Sequence, residues 1–157
     1  MEAIYKNVSL EDLKDEVWVD IIDFEGLYQI SNLGRIKRLA RIDKRGCKQE
    51  EKILKQSLRK NGYLEIKLCK DGKHFNFRVH RLVALMFIEN SEDKAEVNHL
   101  NCNRSDNRVV NLQWVTRKEN NSYDMTRKNR SESLKNRTLS EEHKKHISES
   151  MRKHYAK

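Results

Sequence analysis

From residue 18 onward the apolar positions follow a period of two, broken at intervals by turn-forming residues. In "GLYQIS" Tyr28 and Ile30 alternate with Leu27 and Gln29; "NLG" interrupts the alternation, and "RIKRLARI" continues with Ile36, Leu39 and Ile42. Such a pattern predicts a β-hairpin turned at Asn32 to Gly34. A second turn is expected at "DKRGC". A third follows at Asn61-Gly62, where both residues accept the positive φ that a tight hairpin demands. Leu64, Ile66 and Leu68 then alternate with Glu65 and Lys67. Beyond Asp71-Gly72, Phe75, Phe77 and Val79 alternate with Asn76 and Arg78. These two runs predict a hairpin with one buried face. The apolar run "RLVALMFI" reads as a buried helix ending near Ile88.

After Asn90 the chain turns polar, and a second pattern begins at residue 97 with "VNHLNCNRSDNRVVNLQWVTRKEN". Its order is a short strand, a loop, a second strand, and a helix from about Arg117 announced by the Thr116/Glu119 capping box. Apolar residues thin out past Tyr123, so the following stretch reads as a linker or a segment ordered by a partner. A last helix, "EEHKKHISESMRKHYA", is capped by Ser140. Its apolar stripe, chiefly Ile147, Met151 and Tyr155, is too thin to bury itself, so it docks on something.

Charge narrows the partner. Residues 1–25 hold two lysines against eight acids, a balance of −6, so the net charge of +9 leaves +15 on residues 26–157. Such an excess points to a polyanion, because each Lys or Arg near a phosphate releases a condensed counterion. Nothing approaches the ~18 consecutive apolar residues of a membrane span, and the start lacks the pattern of a signal peptide. Cys47, Cys69 and Cys102 make no CxxC pair; they read as reduced thiols in a cytoplasm.

The asparagine-rich loop fails as a calcium site: counted from Asn101, the positions that need Gly and Glu hold Asp106 and Leu112. Asn101, Asn103 and Asn107 are explained by turns in which the side chain bonds its own backbone. Asn98 and His99, at the end of the first strand, and Asn120, early in the helix, are placed to converge across one cleft. A histidine titrates near neutral pH and serves as a general base. Amide oxygens are hard donors suited to Mg²⁺ or Mn²⁺. One base and one divalent ion are what phosphodiester hydrolysis requires. His80, where strand becomes helix, reads as structural. His143, His146 and His154 read as surface residues, and Trp18 and Trp114 as core anchors.

The quoted stretch, with "RVHRLVALMFI" upstream, resembles the HNH nucleases of the phage and intron homing endonuclease type. "WVDIIDFEGLYQISNLGRIKRL" resembles the small modular domain that often opens such enzymes, and "RTLSEEHKKHISESMRKH" the helical DNA-binding module that often closes them. The resemblance implies a modular α+β protein. A β-rich N-terminal module would span 16–60, a central ββα-metal nuclease 61–124, and a basic helical DNA-binding tail 125–157. It implies His99 as general base, Asn111 as the middle asparagine that holds the loop, and Asn98 and Asn120 as ligands of one Mg²⁺ or Mn²⁺ ion. DNA contact is expected from Arg35, Lys37, Arg38, Arg78, Arg81 and Arg104, and from Lys144, Lys145, Arg152 and Lys153 in the tail. The chain departs from the family twice. Some relatives carry Asp at Asn98, which would bind an ion more strongly. Relatives usually carry Gly at Cys102, where a side chain strains a positive-φ turn by ~1 kcal/mol or more. The implied function is a site-specific endonuclease on double-stranded DNA, acting as a monomer that most simply nicks one strand. The alternative is a DNA-binding, repressor-like protein without catalysis.

Overall fold

A computed structural model of the protein describes residues 3–42 and 46–123, together with Ser140, Glu142 and Lys145. The chain divides into two units, residues 1–121 and residues 122–157, and the core lies in the first. The strands in chain order are β1 (Trp18–Asp20), β2 (Tyr28–Ser31), β3 (Ile36–Arg38), β4 (Arg41–Ile42), β5 (Lys48–Gln49), β6 (Lys52–Ile53), β7 (Ser57–Leu58), β8 (Leu64–Lys70) and β9 (Lys73–Arg78). Helix α1 (Val79–Phe87) follows, then β10 (Glu96–His99), β11 (Leu112–Val115) and α2 (Arg117–Ser122). The described residues thus form an α+β fold rich in short antiparallel strands. None of their helices is long and apolar enough to cross a membrane.

The expected hairpins form where the turn residues put them. β2 and β3 pair across the Asn32–Gly34 turn, and β7 pairs β8 across Asn61-Gly62. Gly34 and Gly62 both sit at φ +83°, a region closed to most side chains. β1, β2, β3 and β6 make one sheet, and β7, β8 and β9 another. On β8 the alternation is realised: Leu64, Ile66 and Leu68 are buried. β9 departs from it, since Phe75 is 39% exposed. As the edge strand, β9 is covered only in part, by Phe24 edge-on to Phe75 and Phe77. Helix α1 starts two residues before the expected Arg81, which puts His80 in its first turn.

The segments set apart by sequence at about residue 60 share one core. Ile21, Phe24, Tyr28, Ile30 and Ile36 pack in the same cluster as Leu64, Ile66, Leu68, Val83, Val97 and Leu112. The Tyr28 hydroxyl accepts from the Cys69 N–H at 3.2 Å and donates to its carbonyl at 3.2 Å. Truncating a side chain as buried as Leu64 to Ala would cost about 2–5 kcal/mol.

The acidic start is part of this fold. Arg35, expected on DNA, is fully buried. Its Nε donates to Glu16 Oε1 at 2.9 Å, Nη1 to the Ser9 carbonyl at 2.7 Å and Nη2 to the Glu11 carbonyl at 2.9 Å. Nη2 also pairs with Glu16 Oε2. Burial alone would raise the Glu16 carboxyl. Hydrogen bonds from Arg35, the Leu13 backbone and Ser31, with the charge of Arg35, hold it below its ordinary value instead.

Candidate active site

The site is built on the β10–β11 hairpin and the helix that follows it. β10 and β11 pair antiparallel, His99 opposite Leu112 and Glu96 opposite Val115. A loop joins them, and Asn111 holds it shut. The Asn111 Oδ1 accepts from the Asn101 N–H at 3.0 Å, while its Nδ2 donates to Asn101 Oδ1 at 3.0 Å and to the Asp106 carbonyl at 2.8 Å. Within the loop, Asn101 Oδ1 caps the Asn103 N–H and Asn103 Oδ1 the Ser105 N–H, the expected side-chain turns. Cys102 sits at φ +59°, the strained region where a glycine would rest at no cost. α2 opens on the reciprocal capping box, with Glu119 Oε2 accepting from the Thr116 N–H at 2.7 Å and Thr116 Oγ1 from the Glu119 N–H at 3.2 Å.

His99 is 4% exposed, and its Nε2 lies 3.0 Å from Asn107 Oδ1. An amide oxygen only accepts, so Nε2 carries the proton and Nδ1 keeps its lone pair. Burial lowers the pKa of the ring. The bond to Asn107 and the charge of Asp106 oppose this, Arg104 adds to it, and the net is a pKa below the ordinary 6.5. His99 is therefore a neutral base at neutral pH. His80 packs beside it at 5.1 Å between ring centres, with Tyr63 4.8 Å from His80 and 6.0 Å from His99. The His80 pKa falls to about 3 through burial first, then the charges of His99, Arg78 and Arg81. Arg78 and Arg104 each hold their guanidinium 4.9 Å from the Tyr63 ring. Two exposed cations thus stand over the aromatic wall of the histidine pair.

The pleat of β10 puts Glu96 and Asn98 on one face, opposite Val97 and His99. Asn120 reaches that first face from α2, its Nδ2 donating to Glu96 Oε2 at 2.6 Å. An ionised carboxylate only accepts, so the amide nitrogen must face Glu96, and Oδ1 is left for another partner. Asn98 is buried with its Nδ2 unpartnered. The Asn120 amide beside the Glu96 carboxylate, with Asn98 on the same face of β10, offers hard oxygen donors of the kind that suit Mg²⁺ or Mn²⁺. Among the described residues no group of three His, Cys, Asp or Glu side chains could hold an ion, so these asparagines would carry that role.

Residues 77–122 match the HNH endonuclease family, and residues 16–69 match the NUMOD4 motif. The chain carries an HNH endonuclease domain behind a NUMOD4 motif. DNA endonuclease I-HmuI of Bacillus phage SP01 is 40% identical over 110 residues, 70% of this chain and 58% of that protein. An uncharacterized HNH endonuclease of Acanthamoeba polyphaga mimivirus, L247, is 41% identical over 112 residues, 68% of this chain and 25% of its own length. A solved structure of DNA binding and cleavage by the HNH homing endonuclease I-HmuI matches with a TM-score of 0.61 at 37% identity, covering 85% of this chain and 66% of that one. The chain therefore spans less than two thirds of these relatives.

Within the HNH domain, no hydrogen bond joins the His99 side chain to Asn98 or Asn120, and the pleat of β10 sends His99 to the face opposite Asn98, so the cleft expected to gather the three is not closed by direct bonds between them. Asn111 acts on the loop backbone. Arg78, Arg81 and Arg104 are exposed beside the histidine pair, with Arg81 also donating to the Ala95 carbonyl at 3.0 Å. In the NUMOD4 segment Arg35 is inside the fold and cannot meet DNA. Lys37 lies 3.6 Å from Glu51 and over the Trp18 ring, and Arg38 donates to the Glu50 carbonyl; both are half-buried. Lys145 is exposed, while Lys144, Arg152, Lys153 and, apart from Glu142, the rest of the expected tail helix lie outside the described residues. Three site residues escaped the sequence reading. Glu96 was legible as the period-two partner of Asn98. Asn107 was hidden among turn asparagines of identical type. Tyr63 was hidden behind the turn it follows.

Proposed function

We propose that this chain is a divalent-metal-dependent DNA endonuclease with His99 as its general base. The observation that carries the reading is the Asn107–His99 bond, which fixes the proton on Nε2 inside a matched HNH domain. Burial keeps the ring neutral, so Nδ1 takes a proton from the attacking water at neutral pH. Arg78 and Arg104 would anchor phosphates and orient the backbone. HNH endonucleases generally use a divalent metal. Asn98, Asn120 and Glu96 would hold it here, and when bound it stabilises charge on the phosphate and the leaving oxygen. The finer reading is a monomer on double-stranded DNA, using Mg²⁺ or Mn²⁺, in the cytoplasm of a bacterial or phage-infected cell.

The test is to incubate the purified protein with mixed phage and bacterial DNA in Mg²⁺ or Mn²⁺ and map strand breaks. Breaks should vanish with chelator. His99→Ala should lower their rate about 10²–10⁴-fold, the usual share of a general base. Cleavage that persists unchanged in His99→Ala, or DNA bound but uncut in every metal, would overturn the proposal.

A further inference from the structure

The NUMOD4 segment reaches the candidate base at one point. A Cβ built on Gly34, in the turn between β2 and β3, would meet Asn107 Cβ at 3.0 Å and the Asn107 carbonyl at 3.1 Å. The contact is locked on both sides. The Val109 N–H donates to the Asn32 carbonyl at 2.8 Å, and Gln56 Nε2 to the Gly34 carbonyl at 2.6 Å. Asn107, 4% exposed, is the residue whose Oδ1 holds His99 Nε2 at 3.0 Å. The loop's own anchor, Asn111, grips Asn101 and the Asp106 carbonyl and leaves the Asn107 side chain alone. The Asn107 Nδ2 is buried without a partner in the protein. The turn of the N-terminal segment is thus the wall against which Asn107 is set.

We infer that the Asn32–Gly34 turn is a positioning element for catalysis: it seats Asn107, and Asn107 holds His99. The inference rests on His99 being the base. A glycine belongs at position 34 both for its φ of +83° and because a methyl there would push Asn107 by some tenths of an ångström. Small errors at a reacting group are costly; a 1 Å misplacement removes about 10²-fold of rate. The N-terminal segment is then part of the catalytic unit as well as its neighbour.

Gly34→Ala tests this against Gly26→Ala. Gly26 sits at φ +68° with nothing within 4 Å of its would-be Cβ, so it carries backbone strain without the collision. Two readouts are taken on each: the NMR resonance of the His99 Nε2–H, and nicking in Mn²⁺ of a supercoiled plasmid carrying a cleavage site mapped in the mixed DNA, resolved into kcat and KM. Gly34→Ala should shift the resonance and lower kcat about tenfold at unchanged KM, while Gly26→Ala leaves both as in the parent protein. If Gly34→Ala does not fold, Gly34→Asn replaces it, since Asn accepts positive φ yet brings the same Cβ. Equal resonances and equal kcat in the two glycine variants would overturn the inference. A parent protein that cuts none of the mixed phage and bacterial DNA in any metal would sink the endonuclease reading, and the resonance comparison would still decide whether the turn seats Asn107.

Discussion

Two buried polar clusters in this protein are treated in opposite ways. In the N-terminal sheet, Arg35 is wholly enclosed, and Glu16, Ser9 and Glu11 accept from each of its guanidinium nitrogens. In the HNH domain, His80 Nδ1, Asn98 Nδ2 and Asn107 Nδ2 are buried and make no hydrogen bond with the rest of the protein. A buried polar atom that the protein does not pair costs ~1–3 kcal/mol unless water or a ligand meets it, so these three are placed to take a partner from outside the chain. The satisfied cluster is there for the fold. The unsatisfied one surrounds the groups proposed for the chemistry, and the core that both halves share holds it in place.

The sharpest way to break this contrast is to orphan the satisfied cluster. Removing one partner of a buried ion pair strands the other charge and costs about 3–5 kcal/mol. Arg35→Ala should therefore lower unfolding stability by that amount in urea titration, leaving the enclosed Glu16 carboxylate with only its Leu13 and Ser31 hydrogen bonds and no cation. A loss under about 1 kcal/mol would mean that the pair is effectively at the surface and the contrast false.

The unsatisfied cluster should instead reveal itself through pH. His80 titrates near 6.5 when unfolded and at about 3 when folded. Between those values the unfolded chain binds a proton that the folded one refuses, so stability falls as pH falls through this window, by up to about 1.4 kcal/mol per pH unit. His80→Phe keeps a ring against Tyr63 and should remove this part of the slope. Urea melts at pH 7 and pH 5 compare the two proteins. A variant whose stability falls as steeply as the parent's would show that His80 is already charged or solvated.

The two clusters were unequally legible in the sequence. Turn chemistry is local, so Asn32–Gly34, Asn61-Gly62 and the Thr116/Glu119 box announced hairpins and a helix start that the fold contains. His99, Asn111 and Asn120 stood out through their resemblance to a family. Arg35 misled because its partners lie 19 to 26 residues earlier in the chain; locally "GRIKRL" is only a basic stretch. Phe75 misled because alternation shows which face is apolar and not whether the strand lies at an edge. Asn107 could not be separated from Asn101 and Asn103, since the same residue type closes a turn or orients a base according to what the fold brings near it.

Glu96 sharpens the comparison on the side of the metal. Its carboxylate obliges Asn120 to turn its amide nitrogen inward, whereas a glutamine would accept either orientation of that amide. Residues that orient ligands are commonly worth 10–100-fold in metal affinity, so Glu96→Gln should weaken Mn²⁺ binding about tenfold, read by the paramagnetic resonance of free ion. His99→Ala, on the other face of β10, should leave that affinity unchanged. Equal Mn²⁺ binding by Glu96→Gln and the parent would remove Glu96 from the site.

The smallest effect is expected where strain is stored in backbone rather than in unpaired atoms. Cys102 holds φ +59° between His99 and the rest of the loop, its N–H donating to the His99 carbonyl at 2.9 Å. Glycine there relieves the left-handed conformation but gains freedom in the unfolded chain, and the two effects partly cancel. Cys102→Gly should thus stabilise the protein by about 0.5–1 kcal/mol, measured by urea titration beside a Cys102→Ala variant that keeps the Cβ and gains nothing. If Ala stabilises as much as Gly, the thiol and not the dihedral is what burdens this turn. The loop that carries the base would then be strained by its side chain, and the unsatisfied atoms would be the only strain that belongs to the site.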